Sequence, residues 1–205
     1  MKEKSSSKER ILKNALEEFA EFGFGGARVD RIANKAEINK AMIFYYFKSK
    51  ENLYKTLLYQ SLSVLISRIQ EVLSRTESPE VLIESLPGIY IRFIAANPDL
   101  FKMIALELIQ NPEHIVSLVS EIFRDIPFPP QEMFGKKISA WYQEGLISEK
   151  DPIQFMMNVV PLSIFSVLGK PMVEAIFSVE IEEDQVFLEK RILSINNLLK
   201  RGMLR

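Results

Sequence analysis

Residues 38–53 read INKAMIFYYFKSKENL, which sets four consecutive aromatic side chains, Phe44, Tyr45, Tyr46 and Phe47, between Lys40 on one side and Lys48 and Lys50 on the other. In a helix successive side chains project about 100° apart, so four adjacent rings cannot all face one core. Ile43 and Phe47, at i and i+4, are the expected core pair. Phe44, Tyr45 and Tyr46 then fall on the flanks and the outer face. An outward tyrosine among lysines needs a partner that accepts hydrogen bonds and carries negative charge.

The flanking sequence predicts helices on both sides. Over 8–22, Ile11, Leu12, Ala15, Leu16, Phe19 and Ala20 recur at helical spacing, with Glu17, Glu18 and Glu21 on the other, solvated face. Gly23, Gly25 and Gly26 end that helix, since glycine accepts the left-handed conformation a helix stop requires. A short helix fits 29–35, with Ile32 and Ala33 inward, and a break at Glu37 and Ile38 separates it from the short helix that starts near Asn39. Ser49 is a suitable N-cap for a long helix carrying Leu53, Leu57, Leu58, Leu62, Leu65, Ile66, Ile69 and Leu73, and Glu51 suits the positive end of its dipole. Further helices are expected at 79–96, 98–109, 112–123, 130–146, 152–177 and 183–203, most of them opened by proline, with IPFPP at 126–130 as the clearest loop. No alternating strand pattern and no long repeat stands out. The expected fold is all-α, three short N-terminal helices feeding a larger bundle.

Composition agrees with two functional parts. The formal net charge of -1 divides into 12 Lys and Arg against 8 Asp and Glu over residues 1–55, or +4, and 14 against 19 over residues 56–205, or -5. A basic end on an acidic body is what a polyanion-binding module would show. With no cysteine, thiol chemistry, disulfides and cysteine-ligated metals are excluded. The single histidine, His114, lies in a polar helix start with no nucleophile or metal-ligand spacing near it and reads as a surface residue. The Glu17-Glu18 and Glu182-Glu183 pairs read as solvated, and no glycine-rich phosphate loop is present. These features point away from an enzyme and imply neither cofactor nor metal. The N-terminus MKEKSSSKER is followed by no apolar segment, so a cytoplasmic location is expected.

Two short helices about a tight turn, buttressed by a preceding helix, form the helix-turn-helix pattern, whose second helix enters the major groove. The stretch RILKNALEEFAEFGFGGARVDRIANKAEINKAMIFYYFKSKENL resembles the N-terminal domain of TetR-family transcriptional regulators. The likeness is carried by Phe19, Gly23, Ile32, Ala33, Tyr45, Tyr46, Phe47, Lys48, Lys50, Glu51 and Leu53 over about residues 9 to 53. Two departures stand out: Glu37 occupies the turn where the family usually has glycine, and Arg28-Val29 replaces the usual Thr-Thr before the second helix. The resemblance implies a DNA-binding domain over 5–65, with its helix-turn-helix core at 28–47 and a linking helix from 50, and a regulatory and dimerisation domain over 66–205. It also implies that Asn39, Lys40, Ala41, Phe44, Tyr45 and Tyr46 line the groove-facing helix, with Arg28 near its entry and Lys50 on a phosphate. Tyrosine hydroxyls would donate to the DNA backbone, and ring faces would touch thymine methyls.

The stretch at 152–169 has 18 residues without charge, long enough to raise a membrane span, but Gln154, Asn158, Ser163, Ser166 and a kink at Pro161 favour a core or a subunit interface. Packed with the amphipathic last helix, two such helices from each chain would form the four-helix dimer interface of the family, with no membrane partner. The resemblance further implies a small-molecule effector in the body, and Phe93, Phe101, Met103, Trp141, Tyr142, Phe155 and Met156 supply apolar and aromatic material for a hydrophobic one. The function expected is a homodimeric regulator on a pseudo-palindromic operator in double-stranded DNA, a repressor released by its effector. The alternative is an activator or an effector-independent DNA-binding regulator.

Overall fold

The computed structural model describes residues 6–125, 130–181 and 185–205. Among the described residues there are eleven helices and no β-strand, only an isolated bridge between Ile147 and Leu204. In chain order they are α1 Ser7–Gly26, α2 Val29–Lys35, α3 Lys40–Phe47, α4 Lys50–Arg75, α5 Pro79–Ala96, α6 Pro98–Gln110, α7 Pro112–Asp125, α8 Pro130–Gln143, α9 Pro152–Leu168, α10 Lys170–Phe177 and α11 Gln185–Met203. The loop expected at 126–130 falls mainly on 126–129, outside the described residues, as do the first residues of the helix expected from 183.

Local chemistry sets the helix ends. Ser6 and Glu9 form a capping box at the start of α1, each side chain bonding the other's backbone N–H. Gly23 leaves helical geometry at φ 66° and ψ 176°, so the chain kinks there rather than stopping, and α1 runs nominally to Gly26. Ser49 Oγ accepts from the Asn52 N–H at 3.0 Å and caps α4. The single helix expected over 152–177 is two helices, bent by 62°. Pro171, at the second position of α10, has no N–H for the carbonyl four residues back and its ring would clash with it, so α9 ends at Leu168 with Gly169 as cap. No single helix among the described residues is long and apolar enough to cross a membrane.

By packing, the chain forms two compact units. One consists of α1 to α3, α4 up to Val64, and α6 with α7; the other consists of α4 from Leu65, α5, and α8 to α11. Residues 97–125, which hold α6 and α7, pack in the same unit as the N-terminal helices. Ile11, Phe19, Ile32, Ile43, Tyr54 and Met103 are fully or almost fully buried in the first unit, and Leu82, Ile91, Ile138, Phe155, Val159 and Ile195 in the second. In the second unit α5 packs against α9 and α11, and α9 also against α8, α10 and α11.

Candidate nucleic-acid interface

The α2–α3 pair is fixed from beneath by its own apolar residues. Ile32 and Ala33 of α2 and Ile43 and Phe47 of α3 are buried, as the spacing predicts, and this leaves the opposite face of α3 open. Tyr45 is 69% exposed, Phe44 40% and Tyr46 39%, while Ala41 and Arg28 are also exposed. Asn39 caps α3, its Oδ1 accepting from the Ala41 N–H at 2.8 Å. The Tyr45 and Tyr46 rings meet edge to face with centroids 5.3 Å apart, and Lys48 Nζ lies 5.7 Å from the Tyr45 centroid while donating to the Tyr45 carbonyl at 3.1 Å.

Glu37, in the turn where the family usually has glycine, takes φ 54°, so the turn keeps a left-handed residue. The Ile38 N–H reaches the Ala33 carbonyl at 3.0 Å and the Glu37 N–H reaches that of Asn34 at 3.1 Å. This is the Schellman closure of α2, built here on a residue that carries a Cβ.

The cations behave differently from one another. Lys40 Nζ lies 2.8 Å from Asp30 Oδ1 and 3.0 Å from Oδ2, an ion pair from α3 back to α2 with both side chains largely exposed. Lys50, given a phosphate by the resemblance, is half-buried and donates to the carbonyls of Phe24 at 2.8 Å and Ala27 at 3.2 Å, with its ammonium 4.5 Å from the Phe24 ring centroid. It secures the α1–α2 turn, because two carbonyls and a ring face offer a desolvated ammonium what water otherwise would. The Arg28 side chain makes no cap to α2; its backbone N–H donates instead to Glu18 Oε1 at 3.0 Å.

Two residues expected at the surface are not there. Glu18 is 0% exposed: its Oε1 accepts from Arg28 N–H and from Arg31 Nε at 2.6 Å, and Arg31 in turn donates to the Gly26 carbonyl at 2.8 Å and lies over the Phe22 ring. The helical wheel of α1 alone marks Glu18 as polar and outward, and the cation that makes its burial tolerable sits on α2. His114 is 14% exposed and packs on the Phe24 ring, since Glu107 offers a buried carboxylate 2.6 Å from its Nδ1. The Glu18–Arg31 and Glu107–His114 pairings are therefore the structural contacts here that sequence reading did not anticipate.

The residues suggested for an effector are divided between the units. Phe101 and Met103 belong to the first unit with α6, and Phe93, Trp141, Tyr142, Phe155 and Met156 to the second. Phe93, Trp141 and Phe155 are buried there; Trp141 Nε1 donates to the Glu77 carbonyl at 3.0 Å, Phe155 meets Phe134 edge to face, and Arg205 lies over the Tyr142 ring.

Residues 11–57 match the sequence model of the "Bacterial regulatory proteins, tetR family". The chain is 24% identical over 199 residues to the HTH-type transcriptional regulator RutR of Escherichia coli (strain K12), covering 97% of this chain and 91% of that one. It is 24% identical over 141 residues to the biofilm operon icaADBC HTH-type negative transcriptional regulator IcaR of Staphylococcus aureus (strain Newman), covering 68% and 72%. Among solved structures, the transcriptional regulator FadR from Bacillus subtilis in complex with stearoyl-CoA shares the fold with a TM-score of 0.70 at 21% identity, covering 94% of this chain and 97% of that one.

Proposed function

We propose that this chain, which belongs to the tetR family of bacterial regulatory proteins, is a homodimeric DNA-binding transcriptional repressor of the cytoplasm, released from a pseudo-palindromic operator by a small hydrophobic effector. The observation that carries the reading is the outer face of α3, where Ala41, Phe44, Tyr45 and Tyr46 stay exposed beside Lys40 while Ile43 and Phe47 hold the helix down. Large aromatic side chains left in water next to ammonium groups suit a groove rich in phosphate oxygens and thymine methyls. Arg28, Asn39, Lys40, Ala41, Phe44, Tyr45 and Tyr46 are assigned to DNA, and Lys50 to the turn beneath them with its remaining N–H toward a phosphate. A two-fold dimer would read half-sites about one helical turn, ~34 Å, or a multiple apart.

For the effector, the apolar interior of the second unit around Phe93 and Phe155, with Met156 half-buried, supports a hydrophobic ligand, and a chain of this fold has been solved in complex with stearoyl-CoA. A ligand need favour a dimer with misaligned reading helices by only about 1.4 kcal/mol to lower operator affinity tenfold. The deciding experiment is titration of DNA from upstream of the chain's own coding region at several salt concentrations. Wild type is expected to prefer that DNA over a scrambled duplex, Tyr45→Ala to lose the preference, and a thermal-shift screen of lipophilic compounds to yield one that releases the complex. No preference by wild type in any duplex would sink the reading.

A further inference from the structure

Phe24 is held on all its groups. Its backbone N–H donates to Glu107 Oε2 at 3.2 Å, and its carbonyl accepts from Lys50 Nζ at 2.8 Å. His114 and Tyr54 pack on its ring with centroids 4.5 and 5.4 Å away. Glu107 lies on α6 and His114 on α7, both outside the residues that match the family. Glu107 is 2% exposed, with its second oxygen 2.6 Å from His114 Nδ1. A carboxylate so deep in a protein persists only where its partners replace water. Here the partners are an imidazole and one backbone N–H of the turn between α1 and α2.

A separate observation places α6 against the same turn. A Cβ on Gly23, whose φ is +66°, would come within 2.8 Å of Gln110 Oε1. The α7 side is tied as well, since Lys55 of α4 and Glu121 lie 2.7 Å apart, a pairing that holds the Glu121 carboxyl below its ordinary range. Four residues beyond Phe24 stands Arg28, the N-cap of α2, and α3 follows α2 through the Glu37 turn. Whatever fixes Phe24 therefore fixes the starting point of the two helices that face DNA.

We propose that Glu107, braced by His114, is a positioning residue for DNA recognition: by gripping the Phe24 N–H it sets the aim of α2 and α3, so that α6 and α7 are part of the reading unit. This rests on the DNA-binding function proposed above. The helix-turn-helix segment cut off near residue 65 would lack the grip.

The test uses the full chain and a duplex that wild type selects from a random-sequence library, compared with a scrambled duplex. Glu107→Leu fills the space and removes the acceptor; Glu107→Gln keeps an acceptor for Phe24 and an N–H for the imidazole. In Glu107→Leu the preference for the selected duplex is expected to fall about tenfold, while scrambled-DNA affinity, which depends on surface charge, changes little. Amide exchange at Phe24 should quicken, and Glu107→Gln should restore both. An unchanged preference, an equal loss on both duplexes, or a Gln variant as defective as the Leu variant each overturns the proposal. Should Glu107→Leu fail to fold, His114→Phe carries the same expectation, because it keeps the ring on Phe24 and removes the brace. Failure of the DNA-binding reading itself would show in wild type alone, as no selected duplex, whereas slow Phe24 exchange would still report the grip.

Discussion

At the residue scale, the most informative departures from expectation are those whose partners lie far along the chain. Glu37 could be singled out from sequence as a departure from the usual glycine of the turn, and the structure gives it a positive φ of 54°. Replacing it by glycine removes a Cβ from the left-handed region while keeping both closing bonds of α2, and should raise stability by about 1 kcal/mol, seen as a higher urea midpoint at constant m. A drop in midpoint would mean that the Glu37 side chain makes a compensating interaction. Glu18 was not legible, since its Arg31 partner is 13 residues away and on another helix. Lys40 gives a second test: Asp30 holds it at 2.8 Å. Asp30→Asn should release that ammonium to phosphate and steepen the dependence of log affinity on log salt by up to about one unit, with a rise in affinity on all sequences. If affinity falls instead, Asp30 orients Lys40 rather than competing for it.

At the element scale, the periodicity of the chain was a good guide wherever one face of a helix is buried by near neighbours. The bounds expected for α2 are those observed, and Ile43 and Phe47 emerge as the inward pair of α3 because only i and i+4 share a face. The break between α9 and α10 was missed, since an apolar run with no charges hides the effect of Pro171 on the preceding turn. The division of labour within α3 makes a sharp contrast between two truncations. Ile43→Ala, at 1% exposure, should cost about 2–5 kcal/mol of folding stability, as buried aliphatic truncations do. Tyr45→Ala should leave the melting temperature within about 2 °C and abolish sequence preference in DNA binding. Equal effects on stability would show that Tyr45 is a packing residue in solution.

At the scale of the whole molecule, each unit carries a buried tyrosine with an ionisable hydroxyl, and the second unit carries most of the uncovered apolar surface. Burial pushes the Tyr90 phenol up from its ordinary 10.0 to about 12. Its folded value lies above its unfolded one, so its contribution is fully present below pH 10 and is lost as pH rises from there toward 12. Denaturant midpoints should fall across that window, and Tyr90→Phe should flatten the fall; a flat profile in wild type would mean that the phenol is wet. The remaining surface bears on assembly. Phe165 of α9, Ile176 of α10 and Leu193 of α11 are 56%, 67% and 62% exposed, too many large apolar groups on neighbouring helices to be left in water by accident. The α9 and α11 helices touch, with Arg191 donating to Ser166 Oγ, and in the proposed homodimer their exposed apolar groups would meet those of a two-fold copy in a four-helix interface. A charge placed there would have to be buried unpaired in the dimer but not in the monomer. Phe165→Glu and Leu193→Glu should therefore weaken dimerisation at least tenfold in sedimentation equilibrium, leave helix content intact, and reduce binding on a full palindrome to the level of a single half-site. Dimers that persist in both variants would place the two-fold contact on another face and separate the exposed apolar surface from operator geometry.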